Sequence, residues 1–137
     1  MKRLLSIGVA VVLTAAACKG TDSSAPTTPA PTTTTNTFTG TVAVGGRAMH
    51  NFTVAQPGQV SVTLTAASPP SSVILGLGIG IPSDSTCALL PGASAMASAG
   101  SSAQLTGVLT PATFCVTVYD VGNQTATVSY TVTVAHL

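Results

Sequence analysis

Beyond its first thirty residues, the side chains of this sequence best equipped for chemistry are two carboxylates, Asp84 and Asp120, two imidazoles, His50 and His136, and two thiols, Cys87 and Cys115. The carboxylates are the calcium candidates, because that cation takes several oxygen ligands and favours charged ones. Asp120 also stands just before Gly122-Asn123, where an aspartate caps the amides of a turn. Turn capping and weak calcium binding are therefore both open to it. Hydrolysis by paired acids needs two carboxyls in unlike environments, and a serine nucleophile needs an oriented base. Only His50 lies within a strand pattern, and His136 stands one residue from the end. The sequence contains no nucleophile elbow, no His-Glu metal motif and no phosphate loop. The expectation is a chain that is not an enzyme and uses no cofactor.

One run imitates a nucleotide site. Gly76-x-Gly78-x-Gly80 has glycines at alternate positions, but a dinucleotide fingerprint needs them between a strand and a helix, where helix amides meet phosphate. Here they alternate with Leu75, Leu77, Ile79 and Ile81, and Pro82 follows. Alternation puts the glycines on one face of a strand, as expected where a second backbone or a loop packs closely over it.

Charged residues are 5% of the 137-residue chain, and Glu is absent. Ordinary proteins carry about 25%. The net charge of +1 sets Lys2, Arg3, Lys19 and Arg47 against Asp22, Asp84 and Asp120. Because the first three cations precede residue 20, the remainder can assemble no basic footprint, which argues against a nucleic-acid partner. Its surface must be hydroxyl-rich, with little charge to keep copies apart.

The first residues read as an address. Lys2 and Arg3 precede an apolar run, Leu4 to Ala17, that ends in three alanines. A charged start, a short apolar middle and a small-residue exit make a secretory signal, residues 1–17. The run is shorter than the roughly 20 residues a membrane span needs. Leu13-Thr14-Ala15-Ala16-Ala17-Cys18 resembles the lipobox of bacterial lipoproteins, in which the cysteine begins the mature chain and carries the lipid. Ala15 stands where that motif usually has Leu, so cleavage by ordinary signal peptidase, with simple secretion, stays open. From Cys18 to Thr37 the chain offers Thr, Ser and Pro but no aromatic or large aliphatic side chain, so nothing there can offset the entropy of ordering. Residues 18–37 read as a lipidated cysteine and a disordered spacer. Lipid on Cys18 leaves Cys87 and Cys115 as an even pair in an oxidising compartment, where a disulfide is expected. A free or metal-binding pair is the alternative.

Residues 38–137 carry a period of two. Apolar and hydroxyl residues alternate through Phe38–Val44 and Asn51–Val54, with Gly45-Gly46 between them as a hairpin signal. A turn at Gln56-Pro57-Gly58-Gln59 leads into Val60, Val62 and Leu64. Phe114, Val116 and Val118 alternate with Thr113, Cys115, Thr117 and Tyr119, and after Gly122-Asn123 come Val128, Tyr130, Val132 and Val134. Only the Ala, Ser and Gly-rich stretch 88–104 lacks a period. It is expected to be a mobile loop or to hold one short helix, flanked by strands near Thr86–Leu90 and Gln104–Leu109. Seven or eight short strands with no helical stripe make an all-β, two-sheet antiparallel sandwich.

The runs Gly46-x-x-x-His50-x-Phe52-x-Val54, Gly58-x-Val60-x-Val62-x-Leu64, Phe114-Cys115-Val116-x-Val118-Tyr119-Asp120 and Tyr130-x-Val132-x-Val134 resemble the bacterial pre-peptidase C-terminal domain. The resemblance implies a jelly-roll-like sandwich of the kind found on exported proteins, some of which bind collagen or polysaccharide, some with calcium. No protease domain accompanies it here, so no activity is implied. The expected function is a non-catalytic module anchored to the bacterial cell envelope through Cys18, on its periplasmic face or the cell surface, with a polysaccharide or protein ligand. The alternative is a structural or self-assembling envelope protein.

Overall fold

Valine, threonine and aromatic residues suit a pleated, half-buried surface, and here they build strands and no helix among the described residues. The computed structural model describes Gly20 and residues 25–137. The signal segment 1–17 and Cys18 lie outside the described residues. The strands are β1 (Thr34–Val42), β2 (Arg47–Val54), β3 (Gly58–Ser68), β4 (Leu75–Ser83), β5 (Thr86–Ala97), β6 (Leu105–Leu109), β7 (Ala112–Asp120) and β8 (Val128–His136). They form two four-stranded antiparallel sheets, β1-β8-β3-β6 and β2-β7-β4-β5. The sandwich expected from periodicity is the fold.

The pairing is nested. β1 pairs β8, β2 pairs β7, β3 pairs β6 and β4 pairs β5. The chain thus behaves as one long hairpin whose tip lies between β4 and β5. Rolling that hairpin adds the β3–β8 and β4–β7 pairings and closes two sheets, which is the jelly-roll arrangement. Val60, Val62, Leu64, Val132 and Val134 from the first sheet meet Leu75, Leu77, Ile79, Val116 and Val118 from the second in one core.

The positions of the turns were readable in the sequence, but what they connect was not. Gly45-Gly46 does not close a hairpin: β1 and β2 lie in different sheets, and residues 43–46 carry the chain across the sandwich. The turns after β2 and β7 cross in the same way. Among the described strands the sole hairpin between chain neighbours is β4–β5, around Asp84-Ser85. A turn residue fixes a reversal of direction, whereas the choice of layer depends on which distant strand waits there. Two boundaries also differ from expectation. β1 begins at Thr34 rather than Phe38, because Thr34–Thr37 pair with Thr133–His136. Residues 88–97 are the greater part of β5 and neither loop nor helix. Their period is hidden by a register shift around Pro91-Gly92, where Gly92 has φ +71°, and by Ala and Ser on both faces.

Candidate functional site

The two ends of the sandwich are unlike. Where β1 begins, the connections 55–57, 84–85 and 110–111 have two or three residues each. At the far end the chain crosses through 43–46, 69–74, 98–104 and 121–127, each of four to seven residues. Asp120, at the end of β7, organises that far end. Its carboxylate accepts from Gly45 N at 2.7 Å, Gly122 N at 2.8 Å and Gln124 N at 3.4 Å. Its own amide donates to Gly46 O. The Gly45 amide does most to hold the carboxyl below its ordinary range; desolvation pulls the other way, and the amides of Gly122, Gln124 and Asn123 add to the lowering. The neighbouring amides continue the clamp: with the side-chain amides oriented to match their surroundings, Gln124 donates to Val42 and Ala43 carbonyls and Asn123 pairs with both N–H and C=O of Ile74.

Asp120 is therefore built into the corner as a turn cap. Asp84 sits at the tip of the β4–β5 hairpin with φ +52°. Asp120 pairs with Leu75 at the start of β4, and Asp84 follows Ser83 at its end. At about 3.3 Å per residue the two lie on the order of 30 Å apart. The structure does not bring these calcium candidates together, and among the described residues no three His, Cys, Asp or Glu side chains gather at one point.

Both histidines close the flank between β1 and β2, where the two sheets meet edge to edge. His50 stacks on Phe38 with ring centroids 4.8 Å apart and shares a 2.7 Å hydrogen bond with the Tyr130 hydroxyl. Burial keeps the His50 imidazole below its usual range and pushes the Tyr130 hydroxyl up. His136 lies inside β8, contrary to its apparent place beyond the strands. It reaches Asn36 Oδ1 at 2.8 Å and packs on Phe52. Each imidazole thus ties one sheet to the other.

Cys87 and Cys115 form a disulfide, with Cα atoms 5.9 Å apart and a sequence separation of 28. The bridge joins β5 to β7 across β4, and Gly80 lies beneath it. A Cβ on Gly80 would stand 2.6 Å from the Ala88 carbonyl carbon and 3.0 Å from the Cys87 sulfur. On the same face of β4, a Cβ on Gly78 would run into Leu89 and one on Gly76 into the Tyr119 ring. The glycine face is a bed for covering groups, as its alternation implied.

Tyr119 is the surface feature that sequence reasoning passed over. Phe52, Phe114 and Tyr130 are buried and Phe38 is half-buried in the flank, so Tyr119 alone of the aromatics lies on an outer sheet face. The register places Arg47, Tyr119, Gly76 and Met96 in one row across β2, β7, β4 and β5. Only the strand pairing exposes this row, because its four members are scattered along the chain. Compared with models of known families, and with curated proteins, the chain matches none.

Proposed function

We propose that this chain is a non-catalytic, exported module, anchored to the cell envelope through lipid on Cys18 and displaying a β-sandwich to a polysaccharide or protein ligand. The observation that carries the reading is the polarity of the sandwich. The spacer joins β1 at the end with the short connections, so the longer connections face away from the anchor. The ionisable groups support it too: Asp120 holds a corner, and His50 and His136 hold a flank. The disulfide suits an oxidising compartment, and the resemblance to pre-peptidase C-terminal domains fits an accessory sandwich. Intact mass of the native protein tests the reading. Cleavage before Cys18, added acyl mass and a two-hydrogen deficit for one disulfide are expected. A mature chain cleaved before Cys18 without acyl mass, or an uncleaved one, would overturn the anchoring.

A second reading, a structural or self-assembling envelope protein, is favoured by the outer edge of β1. The edge strand β1 runs nine residues without charge, proline or register shift, whereas β6 has five residues and β5 is interrupted at Pro91-Gly92. Unblunted edges invite pairing with another chain. Sedimentation across a concentration series decides it, because a monomer at high concentration removes this reading.

A further inference from the structure

We propose that the outer face of the second sheet holds a saccharide subsite, in which Tyr119 stacks one sugar ring and Arg47 takes the carboxylate of an acidic sugar. The inference rests on the ligand-binding reading above and names its ligand class. Adjacent strands stand about 4.8 Å apart, so the row from Arg47 to Met96 spans roughly 14 Å. The Tyr119 ring rests on Gly76, where any side chain would displace it. A ring already fixed on backbone loses little freedom on binding. It keeps part of its surface exposed, and an aromatic face is apolar enough to receive the C–H side of a pyranose. Met96, 73% exposed, flanks it with an adaptable thioether.

Arg47 supplies the charge. It is exposed and is the single Lys or Arg of the described residues. A planar guanidinium matches a carboxylate with two parallel hydrogen bonds. Asp120, next to Tyr119 in sequence, turns its oxygens to the corner amides of Gly45 and Gly122 instead. A protein partner would need about 800 Å² on each side, which a row of four residues does not offer, while one sugar ring needs one platform and one polar anchor. The row also lies toward the far end, clear of the spacer.

The test is a magnetic-resonance titration of the isotope-labelled full chain with a galacturonic acid hexamer, and with the glucose hexamer cellohexaose as neutral control. Saturable shifts are expected at Arg47, Gly76, Tyr119 and Met96, with a dissociation constant on the order of 1 mM or tighter for the acidic sugar. Tyr119→Ala should weaken binding about tenfold or more while Tyr119→Phe retains it. Arg47→Gln, at an exposed position, should erase the preference for the acidic hexamer. The inference is overturned by absent or non-saturable shifts, by shifts that map elsewhere, or by Tyr119→Ala binding as the wild type does. Equal affinity for cellohexaose would overturn the acidic-sugar assignment. A chain that carries acyl mass yet fails to bind either hexamer would sink this inference and leave the anchored module standing.

Discussion

In the first sheet each strand turns one face inward and the other to water, whereas in the second β4 and β7 bury both. Along β8 the inward residues Val128, Tyr130, Val132 and Val134 are buried, and Ser129, Thr131 and Thr133 look outward. Rows such as Thr37, Thr133 and Thr63 give that sheet a hydroxyl face without charge. In β7, by contrast, Phe114 to Val118 are buried without a break, and in β4 so are Leu75 to Gly80. The difference comes mainly from β5, whose hairpin end brings Ala88, Leu89 and the disulfide over Gly78 and Gly80, while Tyr119 of β7 covers Gly76. A chain with few charges can keep water off a sheet by covering it, or wet it with hydroxyls, and this protein does one on each side. Covering needs a fastener, and the Cys87–Cys115 bridge supplies it.

Substitutions on the two outer faces can break or sharpen that contrast. The largest effect is expected from removing the fastener. Cys87→Ser with Cys115→Ser should cost roughly 3–4 kcal/mol, from the loop that the bridge closes, as read by denaturant unfolding. Next comes Thr117→Val on the covered face, where the hydroxyl donates to Ala48 O at 3.0 Å. Its loss should cost about 1 kcal/mol.

Acid acts on the flank and the corner. The His50 pKa is depressed in the folded protein, so unfolded chains take up the proton first. Stability is therefore whole above pH 6.5 and falls as pH drops through the lowered value. Asp120, also depressed, adds a second loss below pH 3.8. Melting temperature measured against pH should show both losses, and His50→Phe should erase the first. The smallest effect is expected from Thr63→Val on the hydroxyl face, within about 0.5 kcal/mol. A cost equal to that of Thr117→Val would break the contrast.

The same contrast separates what the sequence made legible from what it hid. Val128–Val134 alternates because one face meets the core and the other meets water, so its strand could be read directly. β5 could be read only near Thr86–Leu90; its continuation to Ala97 could not, because small residues fill both faces. The glycines of β4 revealed a close approach but not its partner, which depended on a disulfide and a register. Asp120 was legible as a turn cap from Gly122-Asn123, yet its strongest bond, to Gly45, joins positions 75 residues apart. The reversals at Gly45-Gly46 and Gly122-Asn123 were placed correctly, while their role in crossing between sheets required the whole topology. Alternation set Tyr119 opposite Val118, but its grouping with Arg47 and Met96 carries no local signal, because only strand order makes them neighbours.

One pair of substitutions tests the covered face most directly. Gly80 lies under the Ala88 backbone, whereas a Cβ on Gly107 in the first sheet would meet only Val60 Cγ1 at 3.7 Å, an ordinary contact. Unfolding free energies of Gly80→Ala and Gly107→Ala should therefore diverge. The first should lose about 1–3 kcal/mol to overpacking, and the second should be neutral or gain up to about 1 kcal/mol by removing a flexible strand glycine. Equal effects, or a Gly80→Ala protein as stable as the wild type, would mean that nothing presses on β4 from outside.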